Sequence, residues 1–510
     1  MPPFAKLLLL GGFVETSLPP PPISSPITHP PLPITPHSLL ITHPPLLLTV
    51  IGRYGKIRYM KEIVMAMFAI GALASHAALY DGRRGEWKPR PYSEMAKERN
   101  VDESKVPEYV LPDPLVAASG KRVDADGWRK SRRAEVLKLI AENEYGFPLP
   151  PPAKAEAKVL SEKKDALDGL ATRREVRLTF HGPNGKALSA TMLLYIPNAA
   201  KGPVPVFLCL NFNGNQATTF EEDVTPLEWR VKPVGNMRKL WKWPQLEQGA
   251  KRGLSARRWP YREIVKRGYA VGTACYHEFY PDLMDAGSYS ALALFMDGKD
   301  VDGPQYKYTP IGAWAWGLSR MLDYCETEPR IDAAKAAVAG HSRLGKTALW
   351  TGAVDERFKL VCPNNSGCGG VALHKREFGE VIEDHLTHRD NRADAFWFTE
   401  PFAEAWGRES SLPYDQHEVV ALVAPRTVAV GVATKDIYAD PKGEYLSVTA
   451  AAPVWRLLGL ETPLPAEMPR AGGAIVGPVS FHVREGKHDM LLEDWNAYMD
   501  VADWMWRGSK

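Results

Sequence analysis

The chain has 510 residues, and 63 lysines and arginines nearly balance 60 aspartates and glutamates, which leaves a formal net charge of +3. So small a charge does not favour nucleic acid as a partner. Five cysteines are too few for a disulfide scaffold, and no C-x-x-C pair indicates zinc. We expect one large catalytic domain that needs neither a metal nor an organic cofactor. Whether Cys362 and Cys368 pair with anything stays open.

The first 59 residues have the composition of a disordered leader. Residues 19–22 are consecutive prolines, and the hexapeptide Ile-Thr-His-Pro-Pro-Leu occurs at 27–32 and again at 41–46. Such a segment cannot supply a hydrophobic core. We expect residues 1–59 to stay extended or disordered, or not to be translated.

Residues 60–77 have the pattern of a secretory signal peptide. A lysine precedes an apolar stretch at 63–73, and small residues follow. The stretch is too short to span a bilayer comfortably. We therefore expect translation from Met60 and an exported mature chain, periplasmic or secreted, that begins near Ser75 or Ala78. We expect this mature chain to be a monomer without a stable membrane span. A longer leader with an internal anchor is the alternative.

The remaining chain alternates strand and helix patterns. Residues 78–125 are polar and interrupted by prolines, and we expect them to wrap around a catalytic domain at 126–510. Apolar patterning in that domain predicts helices at 128–143 and 311–324, and strands at 174–180, 188–196, 204–210, 268–275, 336–340, 427–432 and 479–483. Buried strands that alternate with helices favour a doubly wound, mostly parallel sheet between two helical layers, as in an α/β-hydrolase.

A serine flanked by glycines lies between one of these strands and a helix-forming run. The sequence Gly340-His341-Ser342-Arg343-Leu344-Gly345-Lys346-Thr347 resembles a nucleophile elbow, a tight turn that lifts a serine hydroxyl above a parallel sheet. It departs from G-x-S-x-G because Leu344 holds the place of the last glycine. The same letters match the phosphate-binding loop G-x-x-x-x-G-K-[ST]. The octapeptide alone does not decide between a serine hydrolase and a nucleotide-binding protein.

The residues after the elbow favour the hydrolase. In α/β-hydrolases the triad follows the chain order Ser, Asp or Glu, His. Asp436 follows the strand at 427–432 and His488 follows the strand at 479–483, so both lie at the carboxyl edge of the sheet, where open α/β folds bind ligands. The elbow strand is also about the fifth strand in our count, whereas a phosphate loop more typically follows the first strand of its domain.

Three other histidines and one loop have competing interpretations. His341 lies inside the elbow, His417 before a strand and His482 within a strand, and we expect all three to be structural. The loop at 211–215, Asn-Phe-Asn-Gly-Asn, either donates a backbone N–H group to an oxyanion hole or is a simple turn. The sequence leaves both interpretations of this loop open.

From about Trp128 to Trp504, the chain resembles the glucuronoyl esterases of carbohydrate esterase family 15 in their bacterial form. The displaced glycine of the elbow is a signature of this family. The similarity rests on the elbow at 340–346 and on the segments 314–320 (Trp-Ala-Trp-Gly-Leu-Ser-Arg), 365–370 (Asn-Ser-Gly-Cys-Gly-Gly), 424–426 (Ala-Pro-Arg), 440–444 (Asp-Pro-Lys-Gly-Glu), 486–489 (Gly-Lys-His-Asp) and 493–495 (Glu-Asp-Trp).

The resemblance implies a reaction and a set of site residues. The family cleaves the ester between the glucuronic acid of glucuronoxylan and alcohols of lignin, which makes a lignin–carbohydrate ester the implied substrate. It implies Ser342 as the nucleophile, His488 as the general base and Arg343 as the oxyanion-stabilising arginine. The positions that resemble the family's sugar contacts are Lys346, Glu380 and Tyr438.

The chain departs from the family at two positions. Many members carry the triad glutamate where this chain has Asn365, which cannot stabilise an imidazolium as a carboxylate would. Asp436 occupies the acid position of some other bacterial members, so we assign it this role, with Asp440 as the alternative. Tyr438 stands where members often carry a tryptophan, so an aromatic face is kept.

Two other functions and one segment have alternatives that the sequence leaves open. The protein could be a broader carbohydrate esterase that removes acetyl groups, although Lys346 and Glu380 suit a uronate better. It could also be an inactive sugar-binding relative, although Ser342 and its partners are intact. The charged segment 384–390 is either a solvated rim of the cleft or a contact for the polymer.

Overall fold

The computed structural model describes residues 92–228, 250–303, 305–389 and 392–508. The predicted leader and signal peptide, at 1–77, lie outside the described residues, as does the beginning of the predicted wrapping segment. Among the residues described, none of the helices combines the length and the apolar character that a bilayer span requires.

A ten-stranded sheet forms the centre of the fold, in the order β1-β2-β3-β5-β4-β6-β7-β10-β12-β11. Its strands, with the separate β8–β9 hairpin, are β1 (Lys154–Ala166), β2 (Ala171–His181), β3 (Ala187–Pro197), β4 (Val204–Asn211), β5 (Ala270–Cys275), β6 (Ile331–His341), β7 (Phe358–Asn364), β8 (Thr387–Arg389), β9 (Arg392–Asp394), β10 (Thr427–Ala433), β11 (Ala474–Ile475) and β12 (Val479–Arg484). The strands from β5 to β12 in this order run parallel, and the flanking strands are antiparallel. The mostly parallel sheet that the sequence predicted is confirmed.

Strand β1 was not predicted, and it changes our strand count. Most of its side chains are exposed, so it carries no buried apolar run that could reveal it. It pairs antiparallel with β2 at the edge of the sheet, where lysines and glutamates discourage pairing with another chain. The elbow strand β6 is therefore the sixth strand and not the fifth.

Helices cover both faces of the sheet. In chain order they are α1 (Tyr92–Glu98), α2 (Arg133–Ile140), α3 (Tyr261–Lys266), α4 (Pro310–Cys325), α5 (Arg343–Val354), α6 (Glu400–Glu404), α7 (Gln416–Ala421), α8 (Pro441–Leu457) and α9 (Leu492–Arg507). Helix α4 begins where the sequence signals it, because the Thr309 side chain accepts from the Gly312 N–H group and Pro310 holds the first position. Helix α2 continues into π-helical turns at Trp128–Arg132 and Ala141–Tyr145.

The central strands are buried on both faces, and their side chains alternate between two cores. Val206 and Leu208 of β4 pack in the core that α2, α4, α5 and α8 cover. Phe207 and Cys209 pack in the core that α3 and α9 cover. Strands buried on both sides read as continuous apolar runs, which is why they were predictable. The three-layer α/β/α arrangement of an α/β-hydrolase is confirmed.

The parallel strands all deliver loops to one edge of the sheet. Asp282 lies beyond the end of β5, Ser342 directly follows β6, and Asn365 directly follows β7. Asp436 follows β10 and His488 follows β12. Because parallel strands share one direction, these five residues from distant parts of the sequence lie at the same carboxyl edge.

Candidate active site

Ser342 occupies a tight turn between β6 and α5. Its φ of +59° lies in the left-handed region, where residues other than glycine are uncommon. The Ser342 N–H group donates to the Asn364 carbonyl at 2.9 Å, and the Ser342 carbonyl accepts from the Lys346 N–H group at 3.1 Å. The turn is thus held between the end of β7 and the first turn of α5, as a nucleophile elbow requires.

Two glycines allow the chain to close this turn. A Cβ atom on Gly340 would lie 2.0 Å from the Leu344 carbonyl oxygen, and one on Gly345 would lie 2.9 Å from the Asn364 carbonyl oxygen. Leu344, at the place of the usual glycine, belongs to α5 and is buried in the core. The close approach of α5 to β7 therefore explains why the second glycine is displaced by one position.

The phosphate-loop interpretation of the same segment is wrong. Nζ of Lys346 donates to the carbonyl oxygens of Ser366, at 2.7 Å, and Cys368, at 2.5 Å, and to Oε2 of Glu380, at 2.8 Å. The Thr347 hydroxyl donates to the Arg343 carbonyl. A phosphate loop would direct that lysine to phosphate and that hydroxyl to magnesium.

His488 and Asp436 form a hydrogen-bonded pair beside the elbow. Nδ1 of His488 lies 2.6 Å from Oδ2 of Asp436. The Asp436 side chain is 6% exposed and the His488 side chain is 44% exposed, so the imidazole is open to solvent while the carboxylate is covered. The His488 ring centroid lies 4.4 Å from that of His341, the residue before Ser342. A carboxylate on Nδ1 leaves Nε2 to act as a base toward the serine.

Asn365 anchors the loop that carries His488. Its Nδ2 donates to the Asp489 carbonyl at 2.9 Å, and the Arg484 guanidinium donates to the same oxygen at 2.8 Å. The Asp489 carboxylate pairs with Arg257 and Arg258. A glutamate at position 365, as the family resemblance implies for many members, could not donate this hydrogen bond. Asn365 therefore supports the loop that carries His488.

Asp440, our alternative for the triad acid, has a structural position. Its carboxylate accepts from the Gly443 N–H group at 2.8 Å and so caps α8. It also accepts from Nε of Arg376 at 2.8 Å, and the pair is buried. These contacts direct the Asp440 carboxylate toward the N-terminus of α8. Asp436, in contrast, is the acid in contact with His488.

The guanidinium of Arg343 is held in the site by Asp282. The two form an ion pair, and Asp282 also accepts from the Tyr276 hydroxyl at 2.6 Å and from Nε1 of Trp397 at 2.7 Å. The Arg343 guanidinium carbon lies 4.6 Å from the Trp397 ring centroid. Burial disfavours the charge, but Asp282 and Tyr276 outweigh it and raise the pKa of Arg343. Sequence analysis missed Asp282, although its place after β5 was a usable signal.

The loop at 211–215 is organised by its own side chains. Nδ2 of Asn211 donates to Oδ1 of Asn215 at 2.9 Å, and Oδ1 of Asn211 accepts from the Gly214 N–H group at 2.8 Å. These bonds favour the interpretation as a structured turn. The Phe212 ring contributes to the site, since its centroid lies 5.9 Å from the Arg343 guanidinium carbon.

The three predicted sugar contacts are neighbours. Lys346 pairs with Glu380, and the Glu380 N–H group donates to the Tyr438 carbonyl at 2.7 Å. Burial would raise the pKa of Glu380, but the charge of Lys346 outweighs it and lowers that pKa. The Glu380 side chain is 21% exposed and the Lys346 side chain only 4%, so the carboxylate is the more accessible partner.

The charged segment at 384–390 begins inside the protein. The Asp384 carboxylate is buried, pairs with Arg99 and accepts from the Tyr438 hydroxyl at 3.2 Å. His385 is also buried, and its Nε2 contacts the Cys368 carbonyl at 3.1 Å. The expectation of a solvated loop is therefore wrong for these two residues. The side chains from 387 onward in this segment lie outside the described ones.

The remaining histidines and the cysteines have structural surroundings. Nε2 of His417 lies 2.8 Å from the Pro112 carbonyl, and Nε2 of His482 lies 3.0 Å from Asp494. Nδ1 of His341 lies 2.8 Å from Oδ1 of Asn364. The His341 ring also contacts the His488 ring, which was not expected. All five cysteines of the chain are buried and free of disulfides, which answers the question about Cys362 and Cys368.

A nucleophile elbow above a parallel sheet, with a carboxylate-bound histidine beside it, defines a serine hydrolase of the α/β-hydrolase fold. Comparison with known proteins narrows this class. The family described as "Glucuronyl esterase, fungi" matches residues 302–459. Carbohydrate esterase MZ0003, from an unknown prokaryotic organism, is 38% identical over 422 residues, which cover 82% of this chain and 94% of that protein.

Two solved structures are also similar to this chain. A glucuronoyl esterase from Solibacter usitatus has a TM-score of 0.70 and 35% identity, over 79% of this chain and all of that chain. A promiscuous CE15 esterase from the marine bacterial metagenome has a TM-score of 0.68 and 36% identity, over 79% and 99%. The chain belongs to the glucuronoyl esterases of carbohydrate esterase family 15, so it is a carboxylic ester hydrolase. The resemblance drawn from its sequence is confirmed.

Proposed function

We propose that this enzyme hydrolyses the ester between glucuronic acid of glucuronoxylan, with or without its 4-O-methyl group, and alcohols of lignin. The reaction passes through an acyl-enzyme on Ser342. One observation carries the proposal: the His488–Asp436 pair lies beside an elbow whose helix also positions Arg343 and Lys346. The machinery for ester cleavage and a charged pocket for a uronate thus extend from one turn.

His488 acts as the base and then as the acid. Nε2 takes the Ser342 proton as the hydroxyl oxygen attacks the ester carbonyl, and Asp436 on Nδ1 stabilises the imidazolium that forms. The tetrahedral intermediate then collapses, the alcohol leaves, and His488 protonates it. Water attacks the acyl-enzyme by the same route and releases the uronic acid.

The Arg343 guanidinium stabilises the oxyanion. Arg343 is the first residue of α5, and the N–H groups at this N-terminus also favour negative charge. Because Asp282 and Trp397 hold the guanidinium in place, it needs no reorganisation when charge develops on the carbonyl oxygen. The Phe212 ring faces the same cation, with its centroid 5.9 Å from the guanidinium carbon.

Glu380, Lys346 and Tyr438 bind the sugar. Glu380 is the more exposed member of its ion pair, so its carboxylate accepts hydrogen bonds from sugar hydroxyls while Lys346 keeps it ionised. Tyr438 supplies an aromatic face beside them. A pocket of this kind suits a uronate on the acyl side of the ester. An acetyl group is too small to use these contacts.

A broader esterase activity is the second candidate. It is supported by the 36% identical solved relative that is described as promiscuous. In this chain the same triad would then also deacylate acetylated xylan. An inactive sugar-binding role has less support, because the Asp436 and His488 side chains are already in contact.

Hydrolysis of benzyl glucuronate by the purified enzyme tests the proposal, with acetylated xylan as the competing substrate. We expect the wild type to prefer the uronate ester and Ser342→Ala to be inactive on both. A wild type that cleaves only acetylated xylan would favour the second candidate. A Ser342→Ala variant with unchanged activity would contradict the nucleophile.

The proposal includes export of a monomeric enzyme to the periplasm or the medium. Its support is the signal-peptide pattern at 60–77 and the location of polymeric cell-wall substrates outside the cell. N-terminal sequencing of the exported protein tests it, and we expect a start near Ser75 or Ala78. A mature N-terminus upstream of Met60 would contradict the assignment.

A further inference from the structure

A buried cluster of polar side chains lies behind Lys346, Glu380 and Tyr438, the three residues that we call the sugar pocket. Nδ1 of His374 is 3.3 Å from Sγ of Cys368, and Nε2 of His374 is 3.3 Å from both carboxylate oxygens of Glu144. Nε2 of Gln416 donates to the same carboxylate at 2.6 Å. We call these four residues the His374 cluster. The side chains of His374 and Glu144 are completely buried.

The Glu144 carboxylate favours the charged form of the histidine in this cluster. Burial alone would lower the pKa of His374, but the Glu144 carboxylate outweighs it and holds that pKa well above its ordinary value. Burial raises the pKa of Cys368 to about 11, so its sulfur is a thiol. The two ring nitrogens of His374 thus link the Glu144 carboxylate to the Cys368 sulfur. A fully buried pair of this kind is expensive to desolvate, so it is weak evidence for a stabilising role.

The cluster meets the sugar pocket at Cys368. The carbonyl of this residue accepts from Nζ of Lys346 at 2.5 Å and lies 3.1 Å from Nε2 of His385. The Ser366 carbonyl accepts from the same Lys346 ammonium at 2.7 Å. The sulfur of Cys368 thus contacts His374, and its carbonyl oxygen accepts from Lys346.

The loop at 366–370, which we call the pocket loop, depends on such contacts for its shape. Gly367 and Gly369 have φ values of +60° and +69°, and glycine backbones have no intrinsic preference for one conformation. The Tyr145 hydroxyl donates to the Gly369 carbonyl at 2.7 Å. The Gly367 N–H group donates to Glu444 at 2.7 Å. The loop is clamped between the end of α2 and helix α8.

We propose that His374 and Glu144 are positioning residues for the uronate end of the active site. Through Cys368 they hold the pocket loop where its carbonyl groups direct Lys346 toward Glu380 and the bound sugar. This inference rests on the proposed function, because it requires the Lys346–Glu380 pair to contact the uronate. Loss of the contact between His374 and Glu144 should weaken binding of a glucuronate ester and spare hydrolysis of an ester that has no sugar.

The test compares benzyl glucuronate with p-nitrophenyl acetate in the full-length enzyme. The variants are His374→Gln and Cys368→Ala, with Lys346→Ala as the reference for a damaged pocket. His417→Gln is the matched control, since His417 is an equally buried histidine whose ring nitrogen contacts the Pro112 carbonyl rather than the pocket loop. Calorimetric binding of methyl glucuronate to the same variants in a Ser342→Ala background gives the comparison without turnover.

We expect His374→Gln and Cys368→Ala to lower kcat/KM for benzyl glucuronate roughly 10- to 100-fold, mainly through KM, as misplacement of binding groups does. Activity on p-nitrophenyl acetate should stay near that of wild type, and His417→Gln should change neither substrate. Equal losses on both esters, or no loss on either, would overturn the positioning role.

Lys346→Ala separates this inference from the function beneath it. If Lys346→Ala loses the uronate preference and His374→Gln keeps it, the positioning role alone is wrong. If Lys346→Ala also keeps the preference, the sugar pocket of the proposed function is wrong. Should His374→Gln fail to fold, Cys368→Ala decides the question, because it removes only the sulfur contact and leaves the ion pair intact.

Discussion

The carboxylate of Asp436 lies 2.6 Å from Nδ1 of His488, although 52 residues separate them in the chain. They follow the neighbouring parallel strands β10 and β12, whose register pairs Ala433 with Arg484 just before the two loops. The sheet therefore sets their separation. In the proposed mechanism Asp436 supplies the triad carboxylate, a role that the uncharged Asn365 cannot fill.

Asp436→Asn should lower kcat on benzyl glucuronate by about 10⁴-fold, since a triad without its carboxylate neither orients the imidazole nor stabilises its charge. Steady-state kinetics measure the effect. Asp440→Asn is the control: it weakens the cap of α8 and the Arg376 ion pair, so we expect a lower melting temperature with kcat within a few-fold of wild type. The reverse result would assign the triad acid to Asp440.

Asp282→Asn should reduce kcat roughly 10- to 100-fold with little change in KM. The Arg343 guanidinium would lose the anion that holds it, and loss of one oxyanion donor costs about 10² or more in kcat. Turnover of benzyl glucuronate and a melting curve are measured together. Asp285→Asn, at an exposed position in the same loop, is the control, and its effect on kcat should be far smaller. A change confined to KM would contradict the oxyanion role of Arg343.

Gly345→Ala should destabilise the protein by about 1–3 kcal/mol, as overpacking in a tight core does, and should lower activity. Its new Cβ atom would meet the Asn364 carbonyl at 2.9 Å and push β7 away from the elbow. Urea unfolding measures the loss. In Gly202→Ala the added atom meets nothing within 4 Å, so we expect no more than about 0.5 kcal/mol. Similar effects for both would mean that the elbow tolerates a side chain there.

Glu444→Gln should flatten the pH dependence of stability. Burial of Glu444, with the nearby charge of Asp436, raises its pKa to about 8, against an ordinary value of 4.5. Between these values the folded protein holds a proton that the unfolded chain releases, so rising pH favours unfolding by about 1.4 kcal/mol per pH unit from this group. Above the folded pKa the effect levels off.

Urea unfolding of wild type and Glu444→Gln at pH 5 and pH 8.5 measures this difference. The glutamine keeps an oxygen to accept from the Gly367 N–H group, so the variant should gain stability relative to wild type at the higher pH. Parallel pH profiles for the two proteins would show that Glu444 is ionised throughout.

The sequence by itself determined the layered fold and the candidate reacting residues. Strands such as β4 and β10, buried on both faces, appear as continuous apolar runs, and a local pattern suffices to find them. Ser342, Asp436 and His488 were predictable because each lies at the end of such a strand, and parallel strands bring their carboxyl ends to one edge.

The tertiary structure decided the features that have no local pattern. Strand β1 is mostly exposed and shows no apolar run, so only its pairing with β2 reveals it. Asp282 and Arg343 are 61 residues apart, and Glu144 and His374 are 230 apart. A buried charge is defined by the partner that compensates it, and partners so distant meet only when the sheet and its helices have packed. The sequence therefore identified the candidate reacting residues, whereas the packed fold identified the residues that hold them in place.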